Sequence, residues 1–190
     1  MAEHNPDSEQ HKAGIGHNEP LRLGVTVAMV ALWAADLLVH HSHVQKVLGF
    51  VLIAVLARIT VTDLEERRIP NRVTVPASAA ALLIGLVMHP SGLPGQVFAA
   101  LGAGVFLLLF AVLSRGGLGM GDVKLGVVLG LFLGKYVVVA LVVGSIASAI
   151  FSLGVLAKRG VTAGRKTKIP MGPFLALGGI VAVLAGPRLF

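Results

Sequence analysis

Beyond its first twenty residues the chain carries only five acidic side chains: Asp36, Asp63, Glu65, Glu66 and Asp122. Asp63 and Asp122 stand where long apolar runs meet short polar loops, so neither sits in bulk water or in a soluble core. Two carboxylates brought together from different helices repel each other, and such a pair shares one proton. The ionised member takes a proton from water while the protonated member polarises a peptide carbonyl. That is the chemistry of aspartic proteolysis, and it needs no metal, thiol or other cofactor. Each residue also has a plainer reading. Asp122 suits a helix N-cap, where a carboxylate accepts an exposed N–H. Asp63 suits an interfacial position closing a helix opposite Arg67, although a carboxylate near a helix C-terminus gains nothing from the dipole.

The elements that hold these residues are membrane helices. Of 190 residues, 55% are apolar and only 13% charged, against roughly 25% charged in a soluble domain. Mean hydropathy is +0.86. Such a chain must bury its apolar surface in a bilayer. A span needs about 20 apolar residues, and seven runs are candidates: 23–39, 47–62, 73–88, 96–113, 123–133, 136–157 and 174–185. The expected fold is therefore an all-α polytopic membrane protein of about seven transmembrane helices. Six is the alternative, because the fifth and seventh runs are short. Residues 1–20 form a polar stretch read as a flexible cytoplasmic tail, with His4, His11 and His17 solvated, and 21–190 form the membrane domain. The tail lacks the basic and apolar regions of a signal peptide. With no cysteine, disulfides, Cys-ligated zinc and a cysteine nucleophile are excluded.

Basic residues orient the spans. With the tail inside, Arg67, Arg68, Arg72, Arg115, Lys124 and the five basic residues of 158–168 fall on the cytoplasmic side, ten in all; Lys46, Lys135 and Arg188 fall outside. Positive charge marks the cytoplasmic face. That arrangement puts both Asp63 and Asp122 at the cytoplasmic rim. It also assigns the +7 net charge to membrane topology rather than to nucleic acid, which is not expected as a partner.

Three segments carry a resemblance: Asp63-Leu64-Glu65-Glu66-Arg67-Arg68-Ile69-Pro70-Asn71, Gly119-Met120-Gly121-Asp122-Val123-Lys124 and Ile169-Pro170-Met171-Gly172-Pro173. Together, in this order, they resemble the type IV prepilin peptidases. That family pairs an Asp, eight residues before the Asn or Asp of an Ile-Pro-Asn-like motif, with a second Asp in Gly-x-Gly-Asp-x-Lys. The resemblance covers roughly 47–187. It implies Asp63 and Asp122 as the catalytic dyad. It implies a prepilin or pseudopilin substrate, with a basic leader ahead of an apolar helix, cut at the cytoplasmic face of a bacterial inner membrane. Long members carry a cysteine-rich N-terminal domain and also methylate the new N-terminus. This cysteine-free sequence is similar to the short, peptidase-only branch associated with tight-adherence (Flp-type) pili, and methyl transfer is not expected.

Supporting roles follow. Gly119 and Gly121, with Gly116 and Gly117, leave the backbone before Asp122 bare, which suits either a flexible loop or close approach of a substrate strand. Lys124 either orients Asp122 or snorkels at the interface. Pro70 halts a helix and sets Ile69 and Asn71 in a turn. Glu65 and Glu66 read as solvated partners of Arg67 and Arg68. Asp36 and Arg58 lie inside apolar runs and are open to pairing. His40, His41 and His43 read as a solvated outer loop, and no metal site is expected. The competing functions are a small proton-coupled transporter and a non-catalytic pilus or secretion assembly subunit. A transporter would want carboxylates near the midplane on broken helices, whereas these lie at one rim.

Overall fold

The computed structural model describes residues 19–39, 43–66, 69–114, 118–164 and 171–189. Seven α-helices occupy them: α1 Glu19–Val39, α2 His43–Glu66, α3 Asn71–Met88, α4 Leu93–Leu113, α5 Met120–Leu133, α6 Val137–Gly164 and α7 Gly172–Leu189. Short 3₁₀ turns at Pro90–Gly92 and Gly134–Tyr136 connect α3 to α4 and α5 to α6. Each apolar run of the sequence corresponds to one of these helices. Four stretches are by themselves long and apolar enough to cross a bilayer: His43–Glu65, Asn71–Met88, Pro90–Leu113 and the 36 residues Met120–Val155, which take in α5 and α6 as far as Val155. Gly24–Asp36 and Gly172–Ala185 are shorter apolar helices. The chain is an all-α polytopic membrane protein.

Which helices face lipid follows from their burial. In α5, ten of fourteen residues are buried, on every side, the pattern of a helix wrapped by others. Leu125, Val128 and Leu129 of α5 pack with Leu52, Leu56 and Ile59 of α2 and with Leu175 of α7, all at most 1% exposed. By contrast α3, α4 and α6 turn Leu83, Val87, Phe98, Val112, Ile146 and Ile150 outward. A soluble monomer does not tolerate an apolar surface of that extent, but a bilayer does. With lipid as solvent, helix association relies on close packing at small residues. An added Cβ on Gly130 would collide with the backbone of Ala100, and one on Gly178 with the carbonyl of Ala140. These contacts bring α4 against α5 and α6 against α7.

Helix α1 docks on the N-terminal half of α2. The Trp33 ring stacks on Phe50 with centroids 4.0 Å apart, and its Nε1–H donates to the Phe50 carbonyl at 3.0 Å. One turn on, Asp36 is buried against Gly49. Arg58 lies nine residues beyond Gly49 on α2, about 13 Å along the axis, and is exposed. The Asp36–Arg58 pairing left open by the sequence is therefore not the arrangement adopted.

Several boundaries move outward from the apolar runs. Helix α2 continues to Glu66, so Asp63 lies inside its last turn instead of ending it; Leu64, Glu65 and Glu66 are good helix formers and no breaker precedes Pro70. Helix α6 runs to Gly164, taking in Lys158 and Arg159. The tail expected over 1–20 lies outside the described residues except for Glu19 and Pro20, which open α1. So do His40, His41, Arg67, Arg68, Gly116 and Gly117, while His43 is the exposed first residue of α2.

Candidate active site

Asp63 lies in the last turn of α2, 6% exposed, and Asp122 in the first turn of α5, 9% exposed. The two helices run antiparallel, so the end of one meets the start of the other. The carboxylates are near enough for the charge on Asp63 to act on Asp122.

Local chemistry fixes Asp122. The N-cap of α5 is Gly119, not Asp122, which occupies the third helical position. From there its Oδ2 accepts the Gly119 N–H at 3.1 Å, while its own N–H donates to the Gly119 carbonyl at 3.1 Å. This is the carboxylate half of a capping box; a glycine cap has no side chain to supply the other half. The N-cap reading was thus close, but displaced by one turn.

Asp63 is held differently. It accepts a hydrogen bond from the backbone N–H of Gly172, the first residue of α7. A helix start leaves its first N–H groups without internal partners, and Asp63 takes one. An added Cβ at Gly172 would lie 2.6 Å from Asp63 Oδ2, so only glycine lets α7 begin this near. Pro173 follows in the first turn, where a missing N–H costs nothing. The Asp63 Oδ2 that faces Gly172 is itself buried and has no hydrogen-bond partner among the described residues. A buried acceptor left without a donor is expensive.

The Ile69-Pro70-Asn71 segment is tied to the start of α5. Pro70 is the N-cap of α3, in extended conformation, and its carbonyl accepts the N–H groups of Val73 at 3.0 Å and Thr74 at 3.3 Å. Ile69 packs on Gly121, where an added Cβ would lie 3.0 Å from the Ile69 Cβ. Asn71 Oδ1 accepts a hydrogen bond from Lys124 Nζ at 2.8 Å. The start of α3 is thereby strapped to the start of α5. Lys124 spans the motifs, instead of simply snorkelling, and the bare face of Gly121 is occupied by Ile69.

The sequence-predicted residues Asp63, Asp122, Gly119, Gly121, Lys124, Pro70 and Asn71 therefore belong to one end of the bundle. Gly172 was missed as a contact of Asp63. Its signal was present in a glycine set between Met171 and Pro173 at the start of an apolar run.

A model of the Type IV leader peptidase family matches residues 50–153, which include both aspartates. Among curated proteins the chain is 36% identical over 148 residues to the prepilin leader peptidase/N-methyltransferase of Bacillus subtilis (strain 168), covering 73% of this chain and 56% of that protein. It is 33% identical over 142 residues to the protein of the same name from Aeromonas salmonicida (strain A449), covering 71% and 48%. With the one from Burkholderia pseudomallei (strain 1026b) it shares 30% identity over 186 residues, covering 93% and 57%. The chain thus spans about half the length of the curated relatives it matches. No solved structure matches it.

Proposed function

We propose, since this chain belongs to the type IV leader peptidase family, that it is a membrane aspartic endopeptidase removing the N-terminal leader of type IV prepilins. The observation that carries this reading is the convergence of two buried carboxylates from α2 and α5, one with an unmet oxygen. The relatives named as prepilin leader peptidases support the substrate class. The methyl transfer also in their names is not part of the proposal.

In the proposed reaction Asp63 and Asp122 share one proton. The ionised carboxylate takes a proton from water as the water oxygen bonds to the scissile carbonyl carbon. The protonated one donates to the carbonyl oxygen. Collapse of the tetrahedral adduct breaks the C–N bond, and the new amine leaves with a proton returned by the dyad. The Gly119 and Gly172 N–H groups hold the carboxylates in place, and orientation of this kind removes a large part of a barrier. The Lys124–Asn71 bridge and the Ile69–Gly121 contact are positioning elements.

The substrate presents a basic leader to the cytoplasmic rim of the bacterial inner membrane and leaves its apolar helix in lipid. The N-terminus is cytoplasmic, and the seven helices all cross. Flp-type prepilins are the proposed class. A transporter or a non-catalytic assembly subunit is not favoured: neither accounts for a match to a peptidase family across both aspartates.

The test is prepilin processing in membranes, read on a gel. The wild type shortens the prepilin by its leader, and Asp63→Asn and Asp122→Asn, inserted to the same level, do not. Cleavage by either variant would remove the dyad from the proposal. A wild type that cuts no prepilin would overturn the function.

A further inference from the structure

The two aspartates are held in different ways. The bond at Asp122 is internal to the start of α5, whereas the bond at Asp63 comes from another helix. The Gly172 N–H meets Asp63 only while the first turn of α7 stays in place. Within that turn the Met171 carbonyl accepts the N–H groups of Phe174 and Leu175, each at 3.1 Å. Those bonds shape the turn but do not fasten it to the bundle.

Helix α6 supplies a fastening. It runs antiparallel to α7, with Gly178 against Ala140 and Leu175 against Gly144. An added Cβ at Gly144 would lie 3.0 Å from the Phe174 carbonyl oxygen and 3.1 Å from the Leu175 Cα, so the first turn of α7 rests directly on the α6 backbone. From Ser145 to Val155 no residue of α6 is buried, and Ile146, Ile150 and Leu153 face lipid. Phe151 belongs to this bare stretch and is 50% exposed. It stands two turns beyond Gly144, about 10 Å along the axis and on the same face. Its ring meets that of Phe174, with centroids 5.2 Å apart and planes at 47°, within the roughly 4.5–7 Å of favourable aromatic pairs. Side chains lean toward the N-terminus of their own helix. Phe151 therefore leans back along α6 and Phe174 leans past the start of α7, so the two rings meet. With lipid as solvent, Phe151 gains little from hiding apolar surface. The specific contribution of the pair is to position α7.

We propose that Phe151 and Phe174 are positioning residues: their ring pair clamps the first turn of α7 onto α6 and so holds the Gly172 N–H on Asp63. Phe151 acts through Phe174 and Gly172 and touches no reacting atom. The kinetic consequence rests on the peptidase reading; the structural one does not.

The experiment has two readouts on the purified full chain. The first is hydrogen exchange of the Gly172 amide in detergent, which needs no substrate. Phe151→Ala speeds it by about two- to tenfold, the change in a local opening equilibrium expected from loss of one ring pair. The amides of residues 178–185, further along α7, keep their rates. The second is prepilin processing in proteoliposomes. Phe151→Ala lowers kcat by a factor in the same range with KM unchanged, as for an interaction used only in the transition state. Phe151→Tyr keeps a ring and restores both readouts. Phe151→Ala added to Phe174→Ala changes neither further, because either substitution already breaks the pair. A Gly172 exchange rate left at the wild-type value by Phe151→Ala overturns the proposal. So does equal acceleration along the whole of α7, or a kinetic change confined to KM, since either makes the pair ordinary packing. A wild type that cuts no prepilin removes the peptidase reading, and the exchange readout still decides whether the ring pair positions Gly172.

Discussion

Two carboxylates in this chain are buried to nearly the same degree and are pressed against a glycine in the same manner, at opposite ends of α2. Asp36 of α1 lies against Gly49, and Asp63 of α2 lies against Gly172 of α7. The difference is in what surrounds them. Asp36 belongs to a packed helix pair closed by the Trp33–Phe50 stack, with no second carboxylate beside it among the described residues. Asp63 has Asp122 for a neighbour and a helix start supplying an N–H. Burial of an acid therefore does not by itself mark a reactive site. The neighbouring carboxylate and the helix start beside it do.

The largest expected effect breaks this comparison most directly. Asp63→Asn lowers prepilin processing by at least about 10³-fold, within the range for loss of a general acid–base group, whereas Asp36→Asn leaves the rate within about threefold. Rates are read as leader removal over time at equal protein in the membrane. Comparable losses in both variants would mean that the chain needs every buried carboxylate for its fold, and the distinction drawn above would fail.

The glycines sharpen it at the next level. Gly172→Ala pushes a methyl group against the Asp63 carboxylate and is expected to cost about 10²-fold in kcat, as a shift near 1 Å at a reacting group can, with KM little changed. Gly49→Ala meets Asp36 with the same steric problem but at the other end. It is expected to lower the melting temperature, by about 1–3 kcal/mol of overpacking, with kcat preserved. Gly154→Ala, where an added Cβ meets nothing within 4 Å, changes neither. A Gly172→Ala protein that unfolds without a selective loss of kcat would reduce Gly172 to a packing residue.

Much of this was legible beforehand, and the failures have physical causes. Each apolar run matched a helix because hydrophobic length is imposed by the bilayer and is visible locally. Helix ends were not, because capping depends on one or two hydrogen bonds: Asp122 suited an N-cap, but Gly119 took that position and left Asp122 the third. Asp63, Asp122, Gly119, Gly121, Pro70 and Asn71 were recognisable from motif spacing. What the spacing could not convey was who touches whom. Lys124 was weighed against Asp122, two residues away, and bonds instead to Asn71, 53 residues away. Gly172 and Ile69 likewise act through partners on other helices.

The smallest effect tests that long-range strap. Lys124 Nζ and Asn71 Oδ1 are 2.8 Å apart but lie at an exposed part of the interface, so water competes for both groups. A bond of this kind contributes about 0.5–1.5 kcal/mol, or a two- to tenfold change in rate if all of it is used to hold α3 against α5. Lys124→Ala and Asn71→Ala are each expected to slow processing within that range, and the double variant to slow it no more than the worse single one, since either substitution already breaks the bond. Lys124→Arg is expected to recover part of the rate because it keeps a donor within reach of Asn71. If Lys124 instead acted directly on Asp122, Asn71→Ala would be silent and the two substitutions would add. The cycle therefore separates a strap between motifs from a local partner of the aspartate, and it does so through coupling, which survives even if both single effects are small.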